Sequence, residues 1–453
     1  MKKIWLLVWG LYSWVFLNAI ETIEKAPTNV EDRDKAPHVL LLAGIQGDEP
    51  GGFNATNLFL MHYSVLKGLV EVVPVLNKPS MLRNHRGLYG DMNRKFAALD
   101  KNDPEYPTIQ EIKSLIAKPN IDAVLHLHDG GGYYRPVYVD ATLNPKRWGN
   151  CFIIDQDEVK GAKFPNLLAF ANNTIESINA HLLPPIEEYH VKNTRTAQGD
   201  TAMQKALTFC TAQGDTEMQK ALTFYAINQK KSAFANEASK ELPLASRVFY
   251  HLQAIEGLLN QLDIPFKRDF ELNPNSVHAL INDKSLWAKI SSLPKMPLFN
   301  LRPRLNHFPL PHNTKIPQIP IESNAYIVGL VKNKQEVFLK YGNKLMTRLS
   351  PFYIEFDPSL EEVKMQIDNK DQMVKIGSVV EVKESFYIHA MDNIRANVIG
   401  FSVSNENKPN EAGYTIRFKD FQKRFSLDKQ ERIYRIEFYK NNAFSGMILV
   451  KFV

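Results

Sequence analysis

Cysteine is nearly absent: Cys151 and Cys210 are the only two in 453 residues. A fold stapled by several disulfides is therefore excluded, and a packed core must hold the chain together. Cys210 sits in a duplicated segment whose other copy carries Tyr225 at the matching place. Two buried free thiols are expected rather than a required bridge. Long apolar runs are missing beyond the N-terminus, which excludes a helical membrane domain. Dense blocks of Lys or Arg are missing too. The formal charge of +6 is spread along the chain. That is weak ground for an anionic partner and none for nucleic acid.

What is present is globular in composition, with 44% hydrophobic and 23% charged residues, so the chain is not disordered. Its length exceeds the roughly 250–300 residues at which a single core stops growing, so two to four domains are expected. Lys2 and Lys3 precede an apolar stretch from Ile4 to Leu17, followed by Asn18 and Ala19. A short positive region, an apolar run too short to span a bilayer and a small residue form a secretory signal, expected over residues 1–19.

From His38 to the 260s, strand-like and helix-like segments alternate. The run His38-Val-Leu-Leu-Leu-Ala-Gly44 reads as a buried strand entering a loop. Val70 to Leu76 and Ala123 to Leu127 read the same way, with a helix expected between, over Phe53 to Leu66. Val248, Leu252, Ile255, Leu259 and Leu262 form one apolar stripe at helical spacing. This alternation predicts an α/β domain with a mixed, largely parallel sheet, whose active site lies beyond the carboxyl ends of its strands. Seven prolines between Pro294 and Pro320 then rule out regular helix and predict extended chain around a small β domain. The last hundred or so residues read as strands, and Tyr434, Ile436 and Phe438 alternate with Arg435 and Glu437 as in a half-buried strand. A β-sandwich is expected there. The expected domains are residues 20–268, 269–345 and 346–453. Residues 196–210 are repeated almost unchanged as 211–225, with Ala202 against Glu217 and Cys210 against Tyr225. Two copies do not make a solenoid; a tolerated surface insertion or an altered loop near the cleft are the readings.

Three short elements carry chemistry. Gly44-Ile-Gln-Gly-Asp-Glu-Pro-Gly-Gly52 follows a buried strand, and its Gln46 and Glu49 sit three apart in a turn that opens a helix. Such a turn can aim both side chains at one ion, although acids at helix starts more often serve as caps. Asn84 to Phe96 gathers Arg86, Asn93 and Arg94, suited to a carboxylate or an oxyanion, or equally to a solvated basic loop. Val124-Leu-His-Leu-His-Asp-Gly-Gly-Gly132 delivers His126 and His128 on one face of a strand before glycines that let a ligand approach.

In order and spacing these elements resemble the zinc carboxypeptidase superfamily, the funnelins: H-x-x-E, an Arg and an Asn-Arg pair, a histidine after a strand, then a distant glutamate. Glu49, Arg86, Asn93-Arg94 and His128 fit that pattern, and Ser232-Ala-Phe-Ala-Asn-Glu-Ala-Ser-Lys240 supplies Glu237. The resemblance spans roughly residues 38–265. One position departs from it: Gln46 stands where the superfamily has histidine, and a neutral amide is a poorer zinc donor. That departure is similar to the cell-shape-determining peptidoglycan DL-carboxypeptidases of helical Gram-negative bacteria, which carry a β-barrel-like middle domain and an immunoglobulin-like C-terminal domain.

The resemblance implies one weakly held Zn2+ on Gln46, Glu49 and His128. Glu237 would be the general base, Arg86 the oxyanion partner, and Asn93 with Arg94 the carboxylate grip. His126 and Trp148 are candidates for the substrate pocket, with ordinary packing as the plainer alternative for each. It further implies periplasmic trimming of peptidoglycan tripeptides with release of meso-diaminopimelate. An N-acyl amino acid deacylase of the aspartoacylase and succinylglutamate desuccinylase type, or a non-catalytic peptidoglycan-binding module, are the competing functions.

Overall fold

A computed structural model describes residues 20–34, 36–194, 217–401 and 410–453. The expected signal, Cys210, the first repeat copy and the start of the second lie outside the described residues. Cys151 is buried and free.

Short runs of Val, Leu and Ile build a seven-stranded sheet in the order Ile23–Lys25, Leu69–Val73, His38–Ala43, Ala123–Gly130, Ser232–Ser239, Cys151–Ile154, His190–Asn193. The sheet is mixed. His38–Ala43 pairs in parallel with both neighbours, and Ser232–Ser239 runs parallel to Ala123–Gly130 but antiparallel to Cys151–Ile154. Strands buried on both faces need cover on both sides. Helices Pro50–His62 and Leu244–Gln261 are among those packed on it, the second carrying the anticipated stripe. The first helix stops four residues short of the expected Leu66. Tyr63–Val65 instead forms an antiparallel ribbon with Phe266–Arg268, because an aromatic and a β-branched residue around Ser64 suit a pleated edge better than a helix end.

The proline-rich stretch is not merely wrapping chain. Arg304–Pro311 is an edge strand, parallel to Lys344–Ile354, in a four-stranded sheet, where Pro309 and Pro311 cost few ladder bonds. Two further four-stranded sheets enclose a separate core that includes Val363, Phe386, Tyr434 and Ile448. The half-buried reading of the 434–438 segment is corrected here. Arg435 and Glu437 are buried too, because Arg435 donates to Asn306 O (3.0 Å) across the seam with the preceding unit. No helix among the described residues is long and apolar enough to cross a membrane.

The core of the α/β unit continues into the small β unit. Asn57, on the helix that starts after Glu49, accepts from Tyr326 N (2.9 Å) and donates to the Tyr341 hydroxyl (3.2 Å). Gly342 lies so close to Phe53 that a Cβ there would stand 2.8 Å from its ring. Tighter still is Gly47, between the two candidate side chains of its turn: a Cβ would fall 2.2 Å from the Ser80 carbonyl carbon and 2.3 Å from Met81 N. Backbone atoms cannot swing aside as a flexible side chain can. Gly47→Ala is therefore expected to cost about 1–3 kcal/mol or more by overpacking, read as a lower denaturation midpoint, and to reduce activity by displacing Gln46 and Glu49.

Candidate metal and substrate site

The chain leaving the carboxyl ends of His38–Ala43, Leu69–Val73 and Ala123–Gly130 carries the three motifs, and Ser232–Ser239 sets Glu237 beside them. Glu49 caps no helix hydrogen bond. Its Oε2 lies 3.0 Å from His128 Nδ1 and accepts from Asp129 N (3.2 Å), while its Oε1 accepts from Arg86 Nη1 (3.0 Å). Burial holds His128 neutral, down to about 3, so its contact with Glu49 is not an ion pair. Burial also pushes Glu49 up to about 7, against the pull of Lys240 and Arg86.

Gln46 has a fixed orientation. Asp91 can only accept, so the amide turns Nε2 toward Asp91 Oδ1 (2.8 Å) and leaves Oε1 buried with no hydrogen-bond partner among the described residues. Burial raises Asp91, but the charges of Arg86 and Arg94 outweigh it and keep the carboxyl below its usual range. An orphaned amide oxygen, a neutral imidazole nitrogen and an adjoining carboxylate are a donor set that fits one divalent ion. They are two metal-type side chains and an amide. Among the described residues, no group of three or more His, Cys, Asp or Glu is gathered to hold a metal.

A cavity of about 160 Å³ opens beside this cluster, lined in part by Arg86, Asn93, Arg94, Trp148 and Glu237. Glu237 sits in register with His128 on the neighbouring strand. Burial, then the charge of Glu49, raises its carboxyl well above the usual range. Arg86 spends three N–H groups on Asp91 and Glu49, and guanidinium has five. Among the described residues two remain for a ligand. Asn93 accepts from Leu222 N (3.0 Å), which ties the second repeat copy to the cavity; Met218 and Thr223 of that copy line it. His126 is placed differently from the rest. It is fully buried behind His128, with its Nδ1 3.0 Å from His128 Nε2.

Asp129 is a residue that motif reading passed over. Its Oδ2 accepts from Gly51 N and Arg247 (both 2.8 Å), and its Oδ1 lies 3.1 Å from His251. It fastens the His128 strand to the helix beginning at Pro50. Its position directly after His128 was the available signal. Asp91, beside Asn93-Arg94, was equally visible and equally unread. Lys240, 3.3 Å from Asp48 and 3.6 Å from Glu49, completes the charge around the turn.

The family model for the catalytic part of a carboxypeptidase controlling helical cell shape matches residues 1–211 and 210–282, breaking where the two repeat copies meet. Models for the β-barrel domain and the C-terminal domain of the same carboxypeptidase match 283–355 and 356–453. Among solved structures, the apo form of cell shape determinant protein Csd4 from Helicobacter pylori is 94% identical, covering 96% of this chain and 100% of that one, with a TM-score of 0.91. The mDAP-bound form of Csd4, a D,L-carboxypeptidase, is 94% identical over 95% of this chain and 100% of that one, with a TM-score of 0.90. A tripeptide-bound form is 93% identical over 96% and 100%, also at 0.90. Among curated proteins nothing matches. From end to end, then, the chain belongs to the family of metallo-carboxypeptidases that control helical cell shape.

Proposed function

We propose that this protein is a periplasmic, zinc-dependent D,L-carboxypeptidase that shortens uncrosslinked peptidoglycan tripeptides to dipeptides, releasing meso-diaminopimelate. The observation that carries the reading is one cavity lined by Glu49, His128, two arginines and Glu237, which accepts no hydrogen bond among the described residues, with Gln46 joined to it through Asp91 and Arg86. The relatives solved with mDAP and with tripeptide support the substrate class. In this reading residues 1–19 direct export and 20–268 carry the chemistry. Residues 269–345 and 346–453 form the two β units.

Gln46 Oε1, Glu49 and His128 Nδ1 would hold the ion. When bound, zinc acts as a Lewis acid toward the scissile carbonyl and makes water a better nucleophile at neutral pH. Glu237 takes the proton of the attacking water and returns it to the leaving amine. Arg86 stabilises the oxyanion with its two uncommitted N–H groups. Asn93 and Arg94 hold the terminal carboxylate, which restricts cleavage to the chain end. His126 orients His128 from behind, and Trp148 walls the pocket. Incubation with muropeptides and with N-acyl amino acids, each with added zinc and with chelator, tests the reading by mass spectrometry. Tripeptide turnover that chelator abolishes and zinc restores is expected. Cleavage of the N-acyl amino acids alone would favour the deacylase, and no turnover of either would favour a binding module.

The repeat contributes a smaller effect. Glu217 of the second copy lies 3.8 Å from Arg94, so it competes with a substrate carboxylate for that guanidinium. Exposed pairs are worth about 0.2–1 kcal/mol. Glu217→Ala, which installs the first copy's residue, is expected to lower KM for tripeptide by about two- to fivefold, leaving kcat unchanged in steady-state assays.

A further inference from the structure

Lys192 lies on His190–Asn193, the edge strand of the main sheet, opposite Ile153 of the adjoining strand. An edge lysine usually keeps its ammonium in water while its stem covers apolar surface. This one turns inward. Its Nζ donates to Pro145 O (3.1 Å) and Arg147 O (2.8 Å). It also stands 3.7 Å from the centre of the Trp148 ring and 4.5 Å from that of Tyr134. Two carbonyls and two aromatic faces thus replace the lost hydration, which a desolvated cation requires. Burial lowers the affinity of this amine for its proton, as such an enclosure should.

Three of the four contacts fall on the short segment 145–148, and that segment carries Trp148 into the cavity. The same segment is held from a second side, where Cys151 Sγ donates to Trp148 O (3.1 Å). Gly130, at the end of the His128 strand, sets the spacing: a Cβ there would meet the Trp148 carbonyl carbon at 2.5 Å. The Trp148 backbone is therefore packed against the end of the His128 strand while its indole is covered by one ammonium group.

We infer that Lys192 is a positioning residue for the carboxypeptidase reaction, fixing Trp148 as a wall of the substrate pocket. The inference rests on Trp148 belonging to that pocket. Among the described residues Lys192 hydrogen-bonds to no proposed reacting group. Its charge reaches Glu237, but its direct contacts are to the 145–148 segment and Tyr134, so its loss is felt mainly in how the substrate is held.

The test compares Lys192→Met, which keeps the stem and removes the charge, with Lys192→Arg, which restores a cation able to stack on the ring. Lys192→Met is expected to raise KM for tripeptide about tenfold with kcat within about threefold, and Lys192→Arg to recover most of the loss. In a Trp287→Phe background Trp148 is the only tryptophan after residue 19. There Lys192→Met should roughly double acrylamide quenching while the melting temperature stays close to that of the parent. Trp148→Ala separates the two layers. If it leaves KM unchanged, Trp148 is no pocket wall and the underlying site reading fails. If it raises KM while a folded Lys192→Met does not, the positioning role is overturned. Additive effects of Lys192→Met and Trp148→Ala on KM would overturn it equally, since a residue acting through Trp148 has nothing left to act on once the indole is gone.

Discussion

Glu237→Gln is expected to cut tripeptide turnover by about 10²–10⁴-fold while leaving tripeptide affinity within about threefold. Two other carboxylates, Glu49 and Asp129, line the cavity and a third, Asp91, lies behind Gln46 and Arg86; each is committed. Glu49 receives Arg86 and Asp129 N, Asp129 receives Gly51 N and Arg247, and Asp91 receives Gln46 and Arg86. Among the described residues Glu237 accepts no hydrogen bond, yet it lines the cavity beside the candidate ligands. Burial and the neighbouring Glu49 raise its proton affinity, the adjustment a base needs if it must also return the proton. A positioned acid–base group contributes about 10²–10⁴-fold, and the amide can neither take nor return a proton. Single-turnover rates with product quantified by mass spectrometry, alongside calorimetric binding, measure both quantities. Undiminished turnover in a folded Glu237→Gln would remove the residue from the chemistry.

Arg86→Met should lower kcat by about 10²–10³-fold, the size seen when one oxyanion donor is lost. The complication is Glu49, whose ionisation Arg86 favours. Losing the guanidinium would also let protons compete harder for that carboxylate and weaken the metal site. Saturating zinc separates the causes. If kcat stays low once metal content, read by elemental analysis, is restored, Arg86 acts on the reaction itself. Recovery of kcat at high zinc would show that it acts only through Glu49.

The candidate site was legible where a residue type and its neighbours in sequence formed one local pattern. Gln46 and Glu49 in a glycine turn, His128 before glycines, and Arg86 with Asn93-Arg94 are local patterns on buried strands or the loops after them; the fold brings all but Gln46 to the wall of one cavity, and ties Gln46 to it through Asp91. The α/β alternation and the later strands were readable for the same reason, since apolar period reports burial. What escaped depends on contacts across the chain. Lys192 looks like any edge-strand lysine until the 145–148 segment folds over it. Asp91 and Asp129 look like loop acids until their partners arrive from elsewhere in the chain. Arg435 and Glu437 kept the period of a half-exposed strand, and the neighbouring unit then covered the polar face as well. Periodicity tells which face is polar; it does not tell what will cover it.

The helix that starts immediately after Glu49 is braced on its far side by Tyr326, Tyr341 and Gly342. The β-rich half is thus a buttress, not a tail on a tether. Excising it would bare the flank of the helix that presents Glu49 and loosen the Gln46–Glu49 turn. The smallest working enzyme should accordingly extend past the α/β core to include the strands around residue 340.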